Sequence, residues 1–193
     1  MREIVLKVVE SDEFAHRLNY INRNYSNLKQ ENLIRNAVLE LLNEKFLDNS
    51  NKAFAEHPRE KGSKIDLSIV NDAEKDRPYS IEFKFQYTND YKQFADYNHF
   101  IEKDFQRSIY KKQCDMFILI ISSWDKDNKK DYDGKWGIKE EHSLSRFLSS
   151  NENWKTNVGN LFSNYSNVTL DIKEITVEEP YSTNYNLYIM SRD

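Results

Sequence analysis

The chain has 193 residues, 38% hydrophobic and 31% charged, with a formal net charge of −4. That length suits one domain with its own core, and that charge excludes a molecule whose whole surface attracts nucleic acid. Four glycines cannot build a glycine-rich phosphate loop, the single Cys114 excludes a disulfide framework and a cysteine-based zinc site, and no apolar run reaches the roughly 18 residues of a membrane span.

In chain order, residues 2–9 (REIVLKVV) read as a short strand and 11–24 as a helix with Phe14, Leu18 and Ile21 on one side. Asn27 followed by Gln30 is a capping-box pattern ahead of a helix over about 30–46. From 48 to 63 the chain is polar and irregular. KIDLSIV at 64–70 and YSIEFKFQ at 79–86 alternate as half-buried strands, joined by the charged NDAEKDRP as a hairpin. A long amphipathic helix is expected over about 93–113. CDMFILIISSW at 114–124 has the length and apolarity of a central strand buried on both faces. DKDNKKDYDGK at 125–135 reads as a surface loop, 141–163 as mostly helical, and the end as two or three strands around Pro180. No repeat or linker divides the chain. The expectation is one α/β domain over 1–193, a mixed central sheet flanked by helices. Its core lies at about 27–124, with the helix and strands of 141–190 packed on it. The charged N-terminus lacks a signal-peptide pattern, so a soluble, cytoplasmic protein is expected.

The hairpin carries the chemistry. Alternation sets Ile65, Leu67 and Ile69 on one face of the first strand and Asp66, Ser68 and Val70 on the other; Glu82, Lys84 and Gln86 share the polar face of the second. If the strands are neighbours, Asp66 sits beside Glu82 and Lys84. Two carboxylates this close repel unless a cation lies between them, and Mg²⁺ accepts such oxygen ligands. A nearby lysine can polarise an attacking water or neutralise charge on a phosphate. On the helix over 30–46, Ile34, Val38, Leu41 and Leu42 fill an arc about 100° wide, and Glu31 falls inside it. A carboxylate there can lean over the hairpin and reach a metal directly or through water. The implied chemistry is metal-assisted phosphodiester hydrolysis.

Asp66 followed by Glu82-Phe83-Lys84 across a short hairpin resembles the PD-(D/E)xK nuclease superfamily, which includes restriction endonucleases and Holliday-junction resolvases. Ile65 stands where the motif's proline is often found, Gln86 extends the match to ExKxQ, and Gly62 to Leu67 is similar to the approach seen in resolvase-like members. The resemblance covers about 27–124. It implies a restriction-endonuclease-like fold and Mg²⁺- or Mn²⁺-dependent cleavage of nucleic acid, DNA first, in a restriction, phage-defence, mobile-element or toxin setting. Asp66 and Glu82 would be metal ligands with the carbonyl of Phe83, Lys84 would orient the nucleophilic water, and Glu31 and Gln86 would support the site.

Basic residues ahead of the hairpin, Arg59, Lys61 and Lys64, are candidates for substrate contact, against an ordinary surface loop. Lys103, Arg107 and Lys111 form a stripe at four-residue spacing, flanked by Glu102 and Asp104, and a solvated helix face explains it equally well. A homodimer or a partner protein is compatible with this chain. The alternative from another class is a non-catalytic interaction module on the same fold, an immunity or regulatory protein.

Overall fold

A computed structural model describes residues 1–58, 64–90, 114–149, 153–163 and 168–192. Six strands, β1 (Asn51–Pro58), β2 (Lys64–Asn71), β3 (Tyr79–Tyr87), β4 (Met116–Trp124), β5 (Val168–Val177) and β6 (Thr183–Arg192), form one mixed sheet in the order β1-β2-β3-β4-β6-β5. β3 and β4 are parallel and every other neighbouring pair is antiparallel. Five α-helices lie among the described residues: α1 (Arg2–Val9), α2 (Asp12–Tyr25), α3 (Glu31–Leu41), α4 (Lys126–Lys135) and α5 (Asn153–Ser163).

The central strands of the sheet are buried on both faces. One core joins α1, α2 and α3 through Val5, Phe14, Leu18, Ile34 and Val38 to Ile81, Phe83, Phe85, Ile118 and Leu187. The other joins α5 through Trp154, Val158 and Phe162 to Phe117, Leu119, Ile121, Tyr188 and Met190. β4 feeds both cores, which explains its unbroken apolar run: Met116–Ile121 have no polar face to offer.

Several local expectations are corrected. Residues 2–9 form a helix, because Val5, Leu6, Val8 and Val9 bury one side at helical spacing against α2 and α3, and that burial outweighs the β-propensity of the valines. The capping box does not form: Gln30 is the N-cap of α3 without a side-chain cap, and Asn27 instead accepts from Lys129 Nζ at 2.7 Å. The α-helical part stops at Leu41 and a π-turn covers Leu42–Phe46. The polar stretch 48–63 contains β1, an edge strand with Ala53 buried, so its sequence shows little alternation. Residues 126–135 are α4 rather than a loop, capped by Asp125, whose side chain accepts from the Asn128 N–H at 2.8 Å. Two short 3₁₀ turns, Glu140–His142 and Leu144–Phe147, precede α5 where a mostly helical stretch was expected. The helix expected at 93–113 lies outside the described residues.

α4 lacks an apolar stripe because its buried side is ionic. Lys129 and Asp133, four residues apart, pair at 2.5 Å, and Asp133 also accepts from Ser143 Oγ at 2.6 Å. The Lys129 ammonium lies 5.1 Å from the centre of the Tyr181 ring. Burial holds this lysine below its ordinary value, and Asp133 opposes that shift.

Candidate active site

β2 and β3 pair through Ile69–Tyr79, Ser68–Ser80 and Leu67–Ile81, and there the ladder ends. Continuing that register by one residue would set Asp66 opposite Glu82. Instead the strands part, and the β3 amides that β2 releases are taken by side chains. The Phe83 N–H donates to Asp66 Oδ2 at 2.8 Å, and the Phe85 N–H donates to Glu31 Oε2 at 2.7 Å. Both amides face β2, since the Ser80 N–H, three residues before Phe83, turns to Asp115 at the start of β4. The Phe83 carbonyl opens to that same side by the same alternation.

This fork explains how Glu31 reaches the sheet. α3 packs over the first core, whereas Glu82, Lys84 and Gln86 lie on the opposite face, in register with Phe117, Leu119 and Ile121 of the second core. A closed β2–β3 ladder would occupy the amides of β3; the open one leaves them in the plane of the sheet, between its two faces. Glu31 is half-buried and pairs with Lys29 Nζ at 3.2 Å. Glu82 and Lys84 are half-buried, their neighbours Ile81, Phe83 and Phe85 are buried, and so the strand is anchored on one side and accessible on the other. Gln86 is buried, and its Nε2 has no hydrogen-bond partner among the described residues.

The alternation of β2 breaks at Asp66. Ile65, expected beside Leu67 and Ile69, packs in the second core with Cys114 and Phe117. Across from Asp66, between the pairs Ala55–Leu67 and His57–Ile65, Glu56 adopts φ 50°, the left-handed region.

The sequence did not single out Arg35. It lies one turn after Glu31 on α3, is 7% exposed, and directs Nη1 to Glu56 Oε1 at 3.9 Å, while Nε and Nη2 donate to Asn36 Oδ1. Lys64, read as a substrate contact, pairs with the same Glu56 at 2.7 Å, and that lysine holds the Glu56 carboxyl below its ordinary value. The only hint in the sequence was the helical spacing of Arg35 from Glu31. Arg59, Lys61, Lys103, Arg107 and Lys111 lie outside the described residues.

Carboxylates and a backbone carbonyl are the oxygen donors that a hard divalent cation takes, and the lysine beside them is a positive group rather than a ligand. Among the described residues no three His, Cys, Asp or Glu side chains close into a ligand cluster. Asp66 and Glu31 each direct one oxygen to a β3 amide. A cavity of about 740 Å³ lies elsewhere, between α4 and the 3₁₀ turns, lined by Lys130, Ser143 and Arg146 and by none of the five candidate residues. No described helix is long and apolar enough to cross a membrane.

A mixed sheet with helices on both faces, and an acid-acid-x-lysine set at a strand fork, define a nuclease-type α/β fold. A family model described as the PD-(D/E)XK nuclease superfamily matches residues 15–158, and the chain belongs to that superfamily. The match extends beyond the 27–124 read from the motifs, back into α2 and forward into α5. No curated protein and no solved structure matches the chain significantly.

Proposed function

We propose that the protein is a Mg²⁺- or Mn²⁺-dependent endonuclease that hydrolyses phosphodiester bonds in nucleic acid, DNA first. The observation that carries this reading is the fork: Asp66 from β2 and Glu31 from α3 meet the Phe83 and Phe85 amides of the strand that bears Glu82 and Lys84. The donor set fits a divalent cation. Asp66, Glu82 and the Phe83 carbonyl would hold it, with Glu31 through water. Such a cation neutralises phosphate charge and acidifies a bound water.

The chain's own residues do the rest. Lys84 positions the attacking water and meets negative charge as it develops on the phosphate. The water oxygen bonds phosphorus, one P–O ester bond breaks, and the proton passes through solvent to the leaving oxygen. Glu31 and Asp66 hold β3 by its amides, so Glu82 and Lys84 keep their spacing while the anchoring phenylalanines exclude water from below. Gln86 closes the buried end of this polar row. The setting we infer is restriction, phage defence, a mobile element or a toxin.

The test incubates the protein with plasmid, linear DNA and RNA in Mg²⁺, Mn²⁺ or chelator. Cleavage that needs metal and disappears in Asp66→Ala and Lys84→Ala is the expected result. No cleavage of either nucleic acid with either metal would replace this reading by a non-catalytic binding module.

A further inference from the structure

Resting on that nuclease reading, we infer that Arg35 and Lys64 form a phosphate-binding pair beside the fork, held in the free protein by Glu56, whose carboxylate occupies the place a substrate phosphate takes. Two cations from different elements, α3 and β2, converge on this one carboxylate: Lys64 Nζ at 2.7 Å and Arg35 Nη1 at 3.9 Å.

The cluster adjoins the site by two independent ties. Glu56 lies across from Asp66, one strand over, about 4.8 Å across the sheet, and Asp66 reaches the β3 amide of Phe83. Arg35 follows Glu31 by one helical turn, and Glu31 reaches the amide of Phe85. Glu82 and Lys84 lie on the face away from α3, so a nucleic-acid strand that crosses the open fork from that face towards α3 brings a second phosphate to Arg35 and Lys64.

Arg35 is built for such a ligand. Its side chain is buried, and the guanidinium is held by Asn36, a neutral partner, through Nε and Nη2. Nη1 faces Glu56 at a distance beyond a hydrogen bond. A planar fork with donors to spare matches a phosphate in two-point geometry, which a lysine cannot reproduce. Glu56 is exposed at the edge strand and can swing away when phosphate arrives. Its displacement frees both cations of their shared carboxylate, so the two kinds of substitution have opposite effects.

Binding of a short fluorescein-labelled DNA duplex and of an RNA of the same sequence is measured with Ca²⁺ in place of Mg²⁺, over a salt series, in the Lys84→Ala background. Arg35→Gln is expected to weaken binding by about tenfold and to lower the salt slope by about one. Arg35→Lys restores the charge and the slope but recovers the affinity only in part. Glu56→Gln tightens binding by about threefold, a gain that a misfolded protein does not give. Equal affinity and slope in Arg35→Gln, or unchanged or weaker binding in Glu56→Gln, overturns the inference and leaves the nuclease reading standing. Failure of the parent protein to bind either nucleic acid overturns both.

Discussion

Asp66 and Glu31 each combine a structural bond with a proposed chemical role, and substitutions can separate the two. Asparagine at 66 keeps an oxygen for the Phe83 N–H and loses the charge, so Asp66→Asn is expected to fold normally while cleavage falls on the order of a hundredfold. Glu31→Gln likewise keeps an acceptor for the Phe85 N–H, whereas Glu31→Ala leaves that amide without one and costs about 1–2 kcal/mol. Urea unfolding measures the difference: equal midpoints for glutamine and alanine at 31 would show that the bond does not hold the strand. The places of Asp66, Glu82, Lys84 and Glu31 on β2, β3 and α3 were legible because the strand and helix patterns that carry them are local. Their bonds were not, because a side chain's choice of a backbone amide 54 residues away leaves no local pattern. Arg35 escaped notice for a related reason: a single arginine on a helix carries no signal until its neighbours in space are known.

Among the elements, α4 depends on a buried ion pair where other helices use an apolar stripe. Lys129→Met leaves the Asp133 carboxylate buried with Ser143 as its remaining partner, and a loss of about 3–5 kcal/mol is expected. Asp133→Leu in the same chain removes the stranded charge, and the double variant is expected to recover most of that loss. Thermal unfolding followed by circular dichroism checks it; a double variant no more stable than Lys129→Met would mean the pair contributes through more than charge. The same pair explains why 125–135 reads as a loop, since hydrophobic periodicity is blind to a helix whose inner face is a lysine and an aspartate. α1 failed in the opposite way. Its valines favour a strand in isolation, and only burial against α2 and α3 selects the helix.

Across the whole molecule, buried phenols set the alkaline limit of the fold. Burial raises Tyr181 and Tyr185 well above the free value of 10 and Tyr188 to about 12. The unfolded chain releases these protons first, so the folded form holds more of them above pH 10. Stability is therefore full below that value and falls by about 1.4 kcal/mol per pH unit for each phenol as pH rises. Lys129, shifted down from 10.5, acts the other way, gaining stability as pH climbs from its lowered value to 10.5, but one such group does not offset three. Guanidinium unfolding across pH 8 to 11 should show a steep loss beginning near 10, with the last part of the tyrosinate absorbance of the twelve tyrosines appearing only together with unfolding; full tyrosinate absorbance while the protein is still folded would refute the account. The amino-acid pattern alone specified β2 and β3 as strands, the doubly buried β4 and the terminal strand pair, because periodicity records which side of a segment meets a core; at Ile65 it assigned the wrong side. Tertiary structure decided the rest. β6 and β5, both outside the family match, complete the sheet beside β4, and the ladder between β2 and β3 opens after three pairs. Whether two strands stay joined depends on which distant groups compete for their amides, and that competition exists only once Asp66, α3 and β3 have been brought together.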